Sequence, residues 1–201
     1  MGLLDTILGR TKPVRANLDA LFALPSAAVT LQSATGLVSS GSAGVCWKPP
    51  LGKEAHDLEG EIAELLALPD NTDPGATKAG VGSFTQAEDS YRYRWLLLED
   101  PEIDDLVTRV HLANSTLEDA GWGPQLLCSL FGFVPGQGSE ETGRCFLVYL
   151  FKRGTFYPFV PSGAQKRDNE MELRLKATIG DDLPVEADLS RWFPLWDAPV
   201  H

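Results

Sequence analysis

Two kinds of hydrophobic spacing occur along the chain, and together they predict a mixture of helices and strands. Apolar residues three or four positions apart predict helices, which cover residues 2–10, 17–24, 54–68 and 101–120. Short apolar or alternating runs predict strands, which cover residues 27–33, 43–48, 91–98, 126–134, 145–151 and 155–160. The strands lack the regular strand–helix–strand spacing of a doubly wound sheet. The sequence therefore predicts an α+β domain with a mostly antiparallel sheet and helices packed on its face.

The ends of several elements are marked by particular residues. In the helix over 101–120, Pro101 and acidic residues fill the first turn. Residues 168–179 are ambiguous, because their apolar positions alternate as in a strand while most of their residue types favour a helix. Asp168 and Gly180 suit the two ends of a helix, so we predict a helix, with a strand as the alternative.

Two further segments have weaker patterns. The short helix over 17–24 is predicted to turn Phe22 inward and to end at Pro25, since proline interrupts helices. Residues 69–83 are rich in proline and glycine, which predicts a loop with a short strand near 78–85.

The N-terminus is amphipathic, and the C-terminus is aromatic. One face of the predicted helix over 2–10 carries four apolar residues, Leu3, Leu4, Ile7 and Leu8. This face either docks on the domain or makes weak contact with a membrane surface. We therefore divide the chain into an N-terminal amphipathic segment (1–14), a single α+β domain (15–182) and an aromatic C-terminal tail (183–201) that packs on it.

Charge and targeting signals narrow the classes of partner. The chain has 201 residues, with 28 acidic and 17 basic side chains and a net charge of −11. This balance argues against nucleic acid and against broad binding to anionic lipid. The sequence has neither a run of about 20 apolar residues nor the charged start of a signal peptide. We therefore expect a cytoplasmic protein, with peripheral contact at the inner face of the cell membrane through residues 2–10.

Residue chemistry predicts neither an enzyme nor a cofactor or metal site. The sequence contains no phosphate-binding loop, dinucleotide fingerprint or nucleophile elbow. Its three cysteines are widely spaced, and we expect Cys128 and Cys145 to lie in the core. His111 has no second histidine or carboxylate one turn away, as a metal site would need. A small-molecule or enzymatic site around His111 is kept as an alternative.

Aromatic residues near the C-terminus are the candidates for binding a partner. They lie on the last predicted strand and in the tail, and they are Tyr157, Phe159, Trp192, Phe193 and Trp196. Such side chains could line a groove for a peptide or a helix. The alternative is that they belong to the core.

Five blocks of sequence resemble one known family, the PspA-associated protein PspAB. The blocks are residues 1–13, 17–28, 123–130, 152–159 and 181–196, which follow in order along nearly the whole chain. The resemblance implies a bacterial protein linked to the phage-shock envelope-stress system, and it brings no catalytic residues with it. It also implies a protein partner, either a PspA-like protein or a membrane protease of the HtpX type.

The predicted order of elements also resembles the YbjN or type III secretion chaperone-like fold, in which a helix-flanked antiparallel sheet often dimerises. A fold analogy of this kind does not imply function. The leading expectation is therefore a non-enzymatic accessory protein that binds a protein partner. The alternative is a chaperone-like protein that forms a homodimer and holds an unfolded client.

Overall fold

The computed structural model of the protein describes residues 16–49, 60, 63–64, 83–139, 141 and 143–201. The predicted helix over 2–10, most of the helix over 54–68 and nearly all of the loop over 69–83 lie outside these residues.

A six-stranded antiparallel sheet forms the centre of the described part of the chain. Its strands are β1 (Leu37–Trp47), β2 (Phe84–Glu88), β3 (Arg94–Glu99), β4 (Leu126–Pro135), β5 (Cys145–Leu150) and β6 (Thr155–Phe159). The spatial order is β2-β3-β1-β4-β5-β6, and each neighbouring pair is antiparallel. The predicted α+β class and antiparallel sheet are confirmed.

Three helices cover one face of the sheet, which we call the helical face. They are α1 (Leu24–Thr35), α2 (Ile103–Leu117) and α3 (Asn169–Ile179); a 3-10 turn (Leu18–Ala23) precedes α1, and one π turn (Glu118–Trp122) follows α2. Helix α3 confirms the prediction for residues 168–179, and the Asp168 carboxylate caps it by accepting the Met171 N–H at 2.9 Å. This bond satisfies one of the N–H groups that the first turn of a helix leaves without a partner.

The predicted strand over 27–33 is wrong, because these residues belong to α1. Pro25 lies in the first turn of α1 instead of ending a helix, and there its missing N–H costs no hydrogen bond. Leu24, Ala27 and Leu31 are fully buried one helical turn apart, and this helical stripe decides the structure.

Phe22 was expected to face inward, and it is instead 50% exposed. The helix continues through Pro25 to Gly36, whose φ of 73° ends it. The burial stripe is therefore carried by Leu18 and Leu21 of the 3-10 turn and continues into α1, which leaves Phe22 at the edge.

The central strands are buried on both faces. In β5, Leu147 and Tyr149 contact the core under the helices, while Phe146 and Val148 lie in a second cluster on the opposite face. This accounts for the almost continuous apolar run in the sequence, since strands covered on both sides do not alternate with polar residues. Residues of the C-terminal tail cover this second face, which we call the tail face.

Candidate binding pocket beneath the C-terminal tail

The C-terminal tail (residues 183–201) begins beside the edge strand of the sheet. The Phe156 N–H donates to the Pro184 carbonyl at 2.8 Å, and the Glu186 N–H donates to the Phe156 carbonyl at 2.7 Å. These bonds pair Val185 with Phe156 in a short parallel bridge. The tail thereby satisfies backbone groups that an edge strand would otherwise leave unpaired.

A buried carboxylate fixes this first part of the tail. Glu186 is 2% exposed and accepts hydrogen bonds from Arg153, from the Thr155 hydroxyl at 3.0 Å and from the Asp188 N–H at 3.0 Å. Burial alone would raise the pKa of Glu186, but these three donors outweigh it and hold the pKa below its ordinary value.

Trp192 attaches the middle of the tail to the sheet. It is 6% exposed and stacks on Tyr157 with ring centroids 5.8 Å apart. Its indole N–H donates to the Glu186 carbonyl at 3.1 Å, and its own carbonyl accepts from Arg167. The Tyr157 hydroxyl donates to the Phe193 carbonyl at 2.8 Å, so both polar tips are satisfied under the tail.

The end of the tail lies across β1 and β4 at two glycines. Val200 is buried, and the Ser40 hydroxyl donates to the His201 carbonyl at 2.6 Å. A Cβ atom on Gly44 would lie 2.8 Å from Val200 Cγ2, and one on Gly132 would lie 3.0 Å from the His201 carbonyl oxygen. The chain can approach so closely because these positions lack side chains.

A cavity of about 550 Å³ lies between the tail and the sheet. Cys46, Trp95, Cys128 and Tyr157 form its floor on the tail face, and residues 193–198 of the tail line it from above. This volume is within the usual range for sites that bind small ligands.

Asp89 organises one wall of the pocket. Its carboxylate accepts the Tyr91 N–H, the Tyr93 N–H and the Trp95 indole N–H, each at 2.9 Å. The neighbouring Ser90 hydroxyl bonds the Asp197 carboxylate and so joins this turn to the tail. The arrangement holds three aromatic residues of one chain segment around the cavity.

Cys46 and Cys128 lie directly opposite each other on β1 and β4. Both thiols are free, and they share a hydrogen bond at the floor of the pocket. This hydrogen bond, followed by burial and then the charge of Asp89, raises the pKa of Cys46 above the ordinary value of a thiol. Cys145 lies on the helical face, where burial raises its pKa to about 12. The predicted burial of Cys128 and Cys145 is confirmed.

We expect the folded protein to resist thiol alkylation. Iodoacetamide reacts with the thiolate, and a raised pKa lowers the thiolate fraction of Cys46 at pH 8. Peptide-resolved mass spectrometry should show labelling of Cys46 on the order of tenfold slower, or more, in native buffer than in guanidinium chloride. Rapid labelling of Cys46 in native buffer would contradict this placement of the pair.

The five aromatic residues singled out in the sequence meet on the tail face. Tyr157, Phe159 and Trp192 are buried, Trp196 is half-buried against Phe159 at 5.2 Å between ring centroids, and Phe193 is 59% exposed. Three of them, Tyr157, Phe193 and Trp196, line the pocket. Their role in binding a partner stays a prediction.

Sequence reasoning missed the other wall of the pocket. Tyr91, Tyr93 and Trp95 recur at every second position, and this spacing is the signal in the sequence. Strand alternation does not bring them together, because Tyr91 lies in the turn before β3 and Arg92 has a φ of 64°. The Asp89 carboxylate holds this segment through its three hydrogen bonds. The opposition of Cys46 and Cys128 had no sequence signal, since it depends on the register of β1 against β4.

The remaining predicted positions lie elsewhere. His111 is on α2, where its ring packs against Phe22 at 4.8 Å between centroids and its Nε2 lies 3.9 Å from Asp19. Burial lowers the pKa of His111, and Asp19 partly opposes this. Within the described residues no group of three or more His, Cys, Asp or Glu side chains could hold a metal ion.

The predicted membrane-contact residues, Leu3, Leu4, Ile7 and Leu8, lie outside the described residues. In the part of the chain that is described, no helix is both long enough and apolar enough to cross a membrane.

Comparison with known proteins gives one match. The family model of PspAB, described as PspA associated protein B, matches residues 1–200. No curated protein and no solved structure matches the chain. The comparison with YbjN and type III secretion chaperones is therefore not confirmed, whereas the resemblance to PspAB is confirmed over the whole chain. This chain belongs to the PspAB family.

Proposed function

We propose that this chain is a non-enzymatic accessory protein of the PspA envelope-stress response and binds a PspA-like protein with its tail face. The family match over residues 1–200 supports the association with PspA. The observation that carries the choice of surface is the mouth of the pocket, where Phe193 and Tyr91 are 59% and 56% exposed. Exposed aromatic side chains around a cavity are typical of the centre of a protein interface.

The opposite side of the molecule offers a weaker candidate surface. Helices α1, α2 and α3 cover the helical face, and Phe22 is the exposed aromatic residue there. Its ring already packs against His111, and it lines neither the pocket beneath the tail nor a second cavity, of about 410 Å³, beside the C-terminal end of α1. That second cavity is lined mainly by polar and small residues such as Gln32, Ser33 and Arg174. A partner with an apolar anchoring side chain is therefore better served by the tail face.

The proposal also covers contact with the membrane and names an alternative partner and function. Residues 2–10 make weak peripheral contact with the inner face of the cell membrane, supported by the apolar positions Leu3, Leu4, Ile7 and Leu8. An HtpX-type protease or a second copy of this chain would be the alternative partner on the same surface, and the chaperone-like dimer is the alternative function.

We expect Phe193→Ser to weaken binding of the purified PspA-like protein from the same genome. Loss of an exposed aromatic anchor costs about 1.4 kcal/mol or more in an interface, which is about tenfold in Kd. Isothermal titration calorimetry with the full chain measures the change. Phe22→Ser is the matched control, because Phe22 is also about half exposed and lies on the other side of the sheet.

The two variants separate the possible results. A weaker Kd for Phe193→Ser with an unchanged Kd for Phe22→Ser supports the tail face. Equal Kd values for both variants and the wild-type chain would reject this surface, and no binding by the wild-type chain would reject the direct partnership.

A further inference from the structure

We propose that the pocket beneath the tail binds an organic cation, meaning a positively charged group carried on apolar carbon. Binding of such a cation does not depend on the proposed PspA-like partner. The pocket joins two features that favour this class of ligand, aromatic rings and unbalanced negative charge.

Six of the fifteen residues that line the pocket are aromatic. They come from the turn before β3, from β3, from β6 and from the tail, and they are Tyr91, Tyr93, Trp95, Tyr157, Phe193 and Trp196. The face of an aromatic ring attracts cations through its quadrupole, most strongly where water is excluded. Several rings around one cavity form the arrangement that recognises ammonium and guanidinium groups.

The charges in the pocket have one sign. Asp89 and Asp197 line it, and no Lys, Arg or His is among the described residues that do. No described Lys or Arg forms an ion pair with either aspartate. Two carboxylates beside apolar walls lower the energy of a bound cation and oppose an anion.

The same face of the sheet already holds two of the protein's own cations. The Arg167 guanidinium lies over the Phe159 ring at 5.3 Å, and Lys176 Nζ lies 5.9 Å from the centre of the Trp192 ring. Both rings belong to the aromatic cluster that continues into the pocket. The pocket differs, because the described residues that line it include no basic side chain that could lie over its rings.

Competing ligand classes fit less well. An anion would meet two carboxylates without a basic side chain among the described lining residues. A neutral apolar ligand would gain nothing from the carboxylates of Asp89 and Asp197. The carboxylate of Asp89 is also held rigidly by its three N–H donors, so its charge stays in place without a ligand.

Two pairs of probes test the charge requirement. Choline is compared with its neutral isostere 3,3-dimethylbutan-1-ol, and N-acetylargininamide is compared with N-acetylcitrullinamide. The full chain is titrated and its tryptophan fluorescence followed, because Trp95 and Trp196 line the pocket. We expect at least one cation to bind about tenfold tighter than its isostere.

The two pairs distinguish the source of the cation. Preference for choline would indicate a free small molecule, and preference for the arginine derivative would indicate a side chain of a partner protein. Either preference supports the proposal. Equal affinity within both pairs, or no saturable change with any probe, would overturn it.

Charge variants localise the binding. Asp197→Asn should weaken binding of the preferred cation several-fold while keeping an acceptor for Ser90, and Asp197→Lys should abolish it. Asp181→Asn removes the same charge from an exposed position after α3, outside the pocket, and should leave the affinity unchanged. Thermal melts of all variants verify that the fold is kept. Unchanged affinity in Asp197→Lys would also overturn the proposal.

Discussion

Trp192→Ala is expected to lower the free energy of unfolding by about 3–5 kcal/mol, the usual cost of truncating a buried aromatic side chain. Trp192 is buried against Tyr157 and its indole N–H bonds the Glu186 carbonyl. The substitution therefore removes the packing of this ring on Tyr157 and leaves a cavity between the middle of the tail and the sheet. Chemical denaturation monitored by far-ultraviolet circular dichroism measures the change, which is a large part of a typical domain's stability.

The neighbouring residue provides the control for this prediction. Phe193→Ala removes a ring that is mostly exposed, and the Phe193 carbonyl that Tyr157 bonds is part of the backbone. It should change the unfolding free energy by no more than about 0.5 kcal/mol. A loss below about 1 kcal/mol in Trp192→Ala would contradict the packing of the tail against the sheet.

Gly44→Val is expected to displace the end of the tail and to lower the unfolding free energy by about 1–3 kcal/mol. A Cβ at this position would lie 2.8 Å from Val200 Cγ2 and 3.1 Å from Trp95 Cε3. Valine favours strands, but the crowding against Val200 and Trp95 outweighs this preference. Carboxypeptidase digestion of the folded protein should remove the C-terminal residues faster than from the wild-type chain.

Gly143→Val is the matched control, since a Cβ there would meet nothing within 4 Å. It should leave both stability and the rate of carboxypeptidase digestion unchanged. If Gly44→Val stabilised the protein without exposing the tail, the close approach of Val200 to β1 would be wrong.

Local pattern predicted β4, β5 and β6 almost completely, because these strands are largely buried apolar runs that end at clear turns. It missed the first half of β1, which is rich in glycine and serine. It failed at residues 27–33, where short runs of apolar and small residues suit either structure. Burial of Leu24, Ala27 and Leu31 at helical spacing against the sheet decides for a helix, and this tertiary contact is not visible in a short window. At residues 168–179 the Asp168 cap and residue propensity pointed to the observed helix.

The pocket could be predicted only in part. The aromatic residues of the tail stand out in the sequence, but their neighbours in the cavity come from strands that are distant along the chain. Cys46 meets Cys128 because β1 pairs with β4. The Asp89 carboxylate accepts hydrogen bonds from the N–H groups of Tyr91 and Tyr93 in the turn before β3. Long-range register and the path of an irregular tail have no short-range signature.

In the proposed function, the tail contributes both to stability and to binding. It uses Glu186 and Trp192 for anchoring and leaves Phe193 at the mouth of the pocket. Anchoring and exposed residues thus lie within a few positions of one another, so the proposed binding surface is held against the sheet by a tail with one short 3-10 turn (Leu189–Arg191). Rigid support of this kind reduces the entropy that a partner must overcome.

Photocrosslinking in the cells from which the chain comes tests the proposed partner surface most directly. Phe193 is replaced by p-benzoylphenylalanine in one strain and Phe22 in another, and the adducts are identified by mass spectrometry after irradiation. Our proposal predicts a covalent adduct with the PspA-like protein from position 193 and none from position 22. The absence of that adduct at position 193, or equal adducts from both positions, would contradict binding through the tail face.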